Sequence, residues 1–324
     1  MKHLSTGLVV GIGLAVGMSA AIAQTGKYPD RPIRLIAPFP PGGTIDVNAR
    51  IIAPAVTKSI GQQVVIDNRS GASGIIGTNE AARAKPDGYT LLINTTPLVT
   101  NTVMYSKVPY NVTRDFDFVS MLSSTPSFVS VHPSLPARSV RELLKLAKAR
   151  PGEINYASAG IGTNLHIAGE LFNHLGKINM VAIQFKGGGP ALVGAISGET
   201  SVAFAGVAGG AAHATAGRLR ALGVTSLKPS PALPGVPTVD QAGLPGYEFI
   251  AWFVLAAPKG TPREAIATLN DHFRKALNAP ETIKRLDADG IDIIGSTAEQ
   301  AAATIESELK KWATVIRERG MKAE

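Results

Sequence analysis

Along most of the chain, short apolar runs alternate with segments whose apolar residues recur every three or four positions. Ile33-Arg34-Leu35-Ile36-Ala37 reads as a buried strand that runs into the turn Pro38-Phe39-Pro40-Pro41-Gly42-Gly43-Thr44. Beyond that turn, Ile45, Ala49, Ile52, Ala53 and Val56 share one face of a predicted helix. Val64-Val65-Ile66 predicts a second strand. A second glycine turn at residues 70–74, a helix to about Lys85 and a third strand, Tyr89-Thr90-Leu91-Leu92-Ile93, follow. The middle of the chain repeats this style. Strands are predicted at Phe128-Val129-Ser130-Val131, Ile154-Asn155-Tyr156-Ala157, Met180-Val181-Ala182-Ile183, Val202-Ala203-Phe204 and residues 219–224. Between them, Ser139-Val140-Arg141-Glu142 has the form of a capping box and opens a helix to about Arg150. Further helices follow the turns at residues 158–164 and 186–190.

The tail reads as mainly helical. Thr261-Pro262-Arg263-Glu264 predicts a second capping box with proline at the first helical position, followed by an apolar face of Ile266, Leu269, Phe273 and Leu277. Ile305, Leu309, Trp312 and Val315 stripe a last helix from near Ala298. The proline-rich residues 228–245 are expected to form a surface connection. Strands alternating with helices predict an α/β chain, with a mostly parallel, doubly wound sheet flanked by helices in each of two lobes. Residues 25–124 with 226–324 are assigned to the first lobe and 125–225 to the second. The chain would cross twice between them, and ligands favour the cleft of such an arrangement.

The first residues break the pattern. Lys2 and His3 precede the apolar residues 8–17, and Ala21-Ile22-Ala23 forms an A-x-A cleavage signal. Residues 1–23 are therefore expected to be a secretory signal peptide; the apolar run is shorter than the ~20 residues of a bilayer span. Cysteine is absent, so neither a disulfide nor a lipid attachment point is expected, and the mature chain is expected free in the periplasm. The formal net charge of +8 comes from Lys and Arg scattered along helices, without a basic run. That distribution argues against nucleic acid and for a weak preference for anions.

The glycine turns carry the candidate chemistry. The first N–H groups of a helix lack internal partners and sit at the positive end of its dipole. Glycine lets a ligand approach that backbone, so a carboxylate can bind there without Lys or Arg. Turns of this kind stand at Gly42-Gly43, Gly71–Gly74, Gly160–Gly162 and Gly187–Gly189. Each alone is equally a plain tight turn; several together, in both lobes, suggest anion sites on two walls of a cleft. Phosphate-loop, zinc-protease and hydrolase-elbow motifs are absent, and Leu165 stands where a dinucleotide fingerprint needs its third glycine. No cofactor, metal or catalytic residue is indicated. His166 follows the 160–162 turn and is either a ligand contact or a hydrogen-bonded helix-terminal histidine. Asp46 is read mainly as a carboxylate favoured by the helix start. Trp252, in the apolar run at residues 250–255, either floors a pocket or fills the core.

Several segments resemble the Bug family, the solute-binding proteins of tripartite tricarboxylate transporters. They are residues 28–44 (YPDRPIRLIAPFPPGGT) with Asp46 and Arg50, residues 65–69 with Gly71, residues 85–92, residues 155–158 with Gly160, Gly162 and residues 166–172, and residues 231–239. The resemblance runs, in order, through nearly the whole chain after the signal. It implies a two-lobed periplasmic-binding-protein (Venus-flytrap) fold, a small carboxylate as ligand, and membrane permease subunits as partners of a monomeric, non-enzymatic receptor. Sensory use of the liganded form, or a periplasmic hydrolase, are the alternatives. The implied site takes Phe39, Pro41, Gly42, Gly43, Thr44 and Asp46 from one lobe. From the other it takes Ser158, Gly160, Gly162, Thr163, Asn164 and His166; beside what the resemblance implies, Phe39, Phe204 and Trp252 are read as the aromatic rings on which a ligand packs. One departure concerns specificity: where many relatives carry a polar set after Phe204, this chain has Ala205-Gly206-Val207-Ala208-Gly209-Gly210. Those small, uncharged residues point away from amino acids and toward an aromatic or extended dicarboxylic acid such as terephthalate.

Overall fold

The computed structural model describes residues 28–318; the predicted signal segment lies outside them. In chain order the first elements are β1 (Ile33–Ala37), α1 (Thr44–Ile60), β2 (Val64–Asn68), a 3-10 turn (Ala72–Gly74), α2 (Ile75–Ala82), β3 (Thr90–Asn94) and α3 (Pro97–Met104). Then come β4 (Phe116–Val131), α4 (Val140–Ala149), β5 (Asn155–Ser158), α5 (Asn164–Gly176), β6 (Val181–Gln184), α6 (Gly188–Ile196), β7 (Val202–Gly206), α7 (Val207–Thr215) and β8 (Arg220–Val224). The last elements are β9 (Ile250–Pro258), α8 (Arg263–Leu277), α9 (Pro280–Ala288), β10 (Asp292–Ile293) and α10 (Ala298–Glu318).

The strands form one mixed sheet in the order β2-β1-β3-β9-β4-β7-β5-β6, with β8 and β10 attached to β4. Each wing is parallel, as its strand–helix alternation predicts: β1 with β2 and β3, and β5 with β6 and β7. The centre departs from the mostly parallel expectation. There β9 pairs antiparallel with β3 and β4, and β4 pairs antiparallel with β7 and β8. The reason is the path of the chain, which passes from one wing to the other along β4 and returns along β9 in the opposite direction. Residues 116–126 of β4 pair with β9, and residues 127–131 pair with β7 and β8. Only the last four residues of this strand stand out in the sequence. The stretch before them is rich in serine and threonine, and its buried hydroxyls are satisfied by tertiary partners. Ser120 Oγ donates to Ser296 O (2.9 Å), and Thr125 Oγ1 to Gly290 O (3.1 Å).

Apolar runs in the first wing reflect burial on both faces. Ile33, Leu35 and Ala37 of β1 pack with Ile45, Ala49, Ile52 and Val56 of α1, while Ile36 enters the core on the opposite face. Strand β9 alternates likewise: Phe253, Leu255 and Ala257 join the α1 side, and Trp252, Val254 and Ala256 the other. In the second wing Phe204 and Val202 of β7 meet Tyr156 of β5 and Ile167 and Phe172 of α5. Phe172 makes edge-on contacts with both Phe204 (5.6 Å) and Tyr247 (5.7 Å).

The helix starts correct two details. At α4, Ser139 Oγ accepts the N–H of Glu142 (3.2 Å), but the Glu142 carboxylate reaches past the cap to the N–H of Arg138 (2.6 Å). At α8 no capping box forms: Pro262 holds the N-cap position, and the Thr261 hydroxyl donates to Pro258 O (2.7 Å). The proline-rich residues 228–245 are also less superficial than expected. Leu233, Val239 and Leu244 are buried, and the N–H of Val239 bonds Val224 O (2.8 Å). This segment has to pack because it carries the chain from the edge strand β8 back to the central β9.

Phe172→Ala removes a ring held between two others. It is expected to destabilise the protein by about 3–5 kcal/mol, read as a lower urea midpoint at unchanged slope.

Candidate functional site

A cavity of about 110 Å³ lies between the two wings. It is bordered by the first residues of five helices, each following a strand of a parallel wing: α1, α3, α5, α6 and α7. The carboxyl ends of sheet strands, where the strand order changes, are where α/β proteins collect ligands. The N-caps of these helices are Gly43, Thr96, Thr163, Gly187 and Gly206, and no side chain caps any of the five. Away from the cavity α2 likewise has neither a side-chain cap nor an acidic first turn, but the other four helices differ. Helices α4, α8, α9 and α10 each carry a glutamate in the first turn, which offsets the positive end of the dipole. Of the five cavity helices only α1 has an acidic residue there, Asp46.

Asp46 does not border the cavity. Its Oδ2 accepts the N–H of Gly42 (2.9 Å) and Nε of Arg50 (2.8 Å). Burial raises the carboxyl pKa, but these bonds outweigh it and hold the group below the ordinary range. Asp46 therefore shapes the 39–44 loop from behind. Among the described residues, no Lys, Arg, His, Asp or Glu borders the cavity. Its wall is apolar at Phe39, Ile45, Val47, Leu165 and Leu192, with alanines from β5, β7 and α6 and hydroxyls from Thr44, Thr95 and Thr163.

The predicted residues divide accordingly. Phe39, Gly42, Gly43, Thr44, Thr163, Asn164 and Phe204 border the cavity; Pro41, Asp46, Ser158, Gly160, Gly162, His166 and Trp252 do not. Phe204 borders it, but its ring is fully buried edge-on against Tyr156 and Phe172. Trp252 is core. Its indole N–H and that of Trp312 both donate to Glu308 Oε2, each at 2.8 Å. The choice left open for Trp252 is thus decided by a carboxylate some fifty residues away that the local sequence does not reveal. Of the three expected aromatic walls, only Phe39 remains. His166 and Ser158 support the 160–163 loop. His166 Nδ1 accepts the N–H of Gly162 (3.2 Å), and Thr163 Oγ1 and Ser158 Oγ both donate to Gly160 O (2.7 and 3.3 Å). Thr95, Pro97, Gly188, Gly189, Leu192, Gly206 and Gly209 also border the cavity and were not singled out as site residues. The 187–189 turn and the 205–210 departure pointed to most of them. For Thr95 and Pro97 the available signal is Thr95-Thr96-Pro97, a helix-start pattern with proline at the first helical position.

The wings touch along the cleft through glycines. A Cβ on Gly206 would meet Thr44 Cγ2 at 2.6 Å, on Gly162 Asn101 Oδ1 at 2.8 Å, on Gly187 Pro40 Cγ at 3.1 Å, and on Gly160 Ser73 Oγ at 3.3 Å. Hydrogen bonds cross beside them: Thr100 Oγ1 to Gly162 O (3.0 Å), Tyr105 OH to Ile161 O (3.4 Å) and Asn164 Nδ2 to Thr95 Oγ1 (3.2 Å).

Two α/β wings joined by crossing strands, with a small cavity walled by both, define a solute-binding protein. The chain belongs to the tripartite tricarboxylate transporter receptor family, whose model matches residues 48–321. It is 37% identical to the protein BugT of Bordetella pertussis over 316 residues, 97% of each chain. Among solved structures it resembles Rpa4515 of R. palustris with adipate, at a TM-score of 0.87 and 34% identity, covering 90% of this chain and 98% of that one. It also resembles MatC of Rhodopseudomonas palustris with bound malate, at a TM-score of 0.85 and 28% identity, covering 89% and 100%. No helix among the described residues is long and apolar enough to cross a membrane.

Burial lowers the pKa of His166 below its ordinary value of 6.5, against a smaller opposing effect of Glu170. The unfolded chain then binds this proton more readily than the folded one. The stability contributed by neutral His166 is full above about pH 6.5 and is lost as pH falls below it. Urea titrations across that range are expected to show a smaller loss of stability for His166→Asn than for the parent.

Proposed function

We propose that this protein is a monomeric periplasmic receptor that closes on one small organic acid and presents it to membrane permease subunits. The observation that carries this reading is the convergence of five helix starts without side-chain caps, four of them (α1, α5, α6 and α7) with unpaired first N–H groups, on a cavity that no ionisable side chain among the described residues borders. An anion taken from water must regain hydrogen bonds and favourable potential. Free N–H groups at positive dipole ends offer both. The relatives solved with adipate and with malate support the same ligand class. A ligand ammonium group would find no carboxylate in this wall, so amino acids are disfavoured. Extended dicarboxylic acids, or aromatic ones such as terephthalate lying on Phe39, suit it better. Catalysis has no support, because no base borders the cavity to activate a threonine hydroxyl.

In this proposal residues 25–124 with 226–324 form one lobe and 125–225 the other, hinged where the chain crosses. Near those boundaries Thr225 Oγ1 accepts the N–H of Ser127 (2.8 Å) and lies 2.6 Å from Phe249 O, to which it donates. Closure brings the glycine contacts together and slows ligand escape.

Calorimetry with dicarboxylic, aromatic and amino acids tests the reading. Binding of plain dicarboxylic or aromatic acids without aspartate or glutamate is expected; the reverse preference would sink it. A bound acid at 100 times its Kd should raise stability by about 2.7 kcal/mol. Gly43→Val should lose at least tenfold in affinity yet keep its stability. The backbone there (φ −77°, ψ 168°) accepts a branched residue, and an added Cβ meets only Pro40 O at 3.5 Å. Gly206→Ala is equally compatible with its backbone (φ −62°, ψ 136°). Its methyl should hold the lobes apart, giving weaker binding and a larger radius of gyration with ligand, measured by small-angle scattering.

A further inference from the structure

Asn164, the first residue of α5, is the only side-chain amide or carboxylate among the described residues that borders the cavity. It is about nine-tenths buried. Its Nδ2 crosses the cleft to Thr95 Oγ1 (3.2 Å), while its Oδ1 is buried without a partner. A buried acceptor left unpaired carries a penalty of roughly 1–3 kcal/mol, so such a group calls for a donor. No donor among the described residues reaches it, and the residue borders the cavity from which a ligand donor would come.

The rest of the wall sharpens this. A carboxylate offers about four acceptor sites, and the starts of α1, α5, α6 and α7 leave their first N–H groups without an intrahelical partner, whereas α3 leaves none: Pro97 has no N–H, and those of Leu98, Val99 and Thr100 bond Thr95 O, Thr96 O and Thr96 O. Donors are therefore in excess and acceptors scarce. Turning the amide over would let Oδ1 accept from the Thr95 hydroxyl, but it would aim a further donor at a wall already rich in them. With Nδ2 on Thr95, the amide oxygen is held as the one side-chain acceptor of its strength that the cavity offers.

We propose that Asn164 is a specificity-determining residue that accepts a hydrogen bond from a neutral hydroxyl of the ligand, so that the preferred solute is a hydroxy-carboxylate. This rests on the carboxylate reading above. A neutral hydroxyl fits where an ammonium group does not, because an amide oxygen solvates a dipole but does not neutralise a buried charge. The same residue joins the two walls through Thr95, so pairing its oxygen with the ligand completes a link that spans the cleft.

The test compares matched acids that differ by one hydroxyl: malate with succinate, 3-hydroxyadipate with adipate, and 4-hydroxybenzoate with benzoate. Sites built to bond a hydroxyl discriminate strongly against the analogue lacking it. In the parent protein at least one hydroxy acid is expected to bind tenfold or more tightly than its partner. In Asn164→Leu, which removes the acceptor at similar size, that preference should fall to within about twofold, with the plain acid still bound. Plain acids binding as well as or better than their hydroxy partners in every pair would overturn the role of Asn164 while leaving the carboxylate reading intact. A preference that survives in Asn164→Leu would do the same. If no acid of either kind binds the parent protein, the carboxylate reading fails, and this inference with it. The parent comparison decides even if the leucine variant does not fold.

Discussion

An anion can leave water only if the site that receives it replaces its hydration, and here no cation is available to do so. Everything else in the cleft follows from that constraint. The replacement has to come from backbone N–H groups, and these are free only at helix starts. None of the five helices that meet the cavity has a side-chain cap, and four of them lack the first-turn acidic residue that α4, α8, α9 and α10 carry. The fifth keeps Asp46 but turns it onto Gly42 and Arg50. Stability that capping would have added at each start, of order 1 kcal/mol, is forgone in favour of a surface that binds.

The aim of the five helix starts depends on the sheet beneath them. Burial on both faces fixes β1, β3 and β9, because a slip of one residue would swap the two core faces. Strands β4 and β9 link the wings, and their polar residues are held by distant partners. The paired indoles on Glu308 fasten β9 to α10, and Thr225 ties the crossing strands together. The frame is stiff along each wing and narrow where the wings meet.

The wings were legible in the sequence because parallel strands and amphipathic helices have strong local periods. The loops at Gly42-Gly43 and Thr163-Asn164 were legible because glycine and N-cap residues have few other uses at a strand–helix junction. What the sequence hid was everything set by tertiary partners. The serine-rich part of β4 reads as a loop until its hydroxyls find Ser296 and Gly290. Trp252 and Phe204 look like pocket aromatics, but strand alternation and distant rings send both into the core. Asp46 and His166 sit beside the right loops, yet their side chains support those loops from outside the cavity lining. Motif proximity located the neighbourhood; only the direction of each side chain separated lining from support.

The glycine contacts across the cleft bear on time as well as space. Where two walls meet through bare backbone, few side chains have to disengage before they part, and three crossing hydrogen bonds hold the seam beside them. How long a solute stays then depends on how often the walls part as well as on the bonds the solute makes.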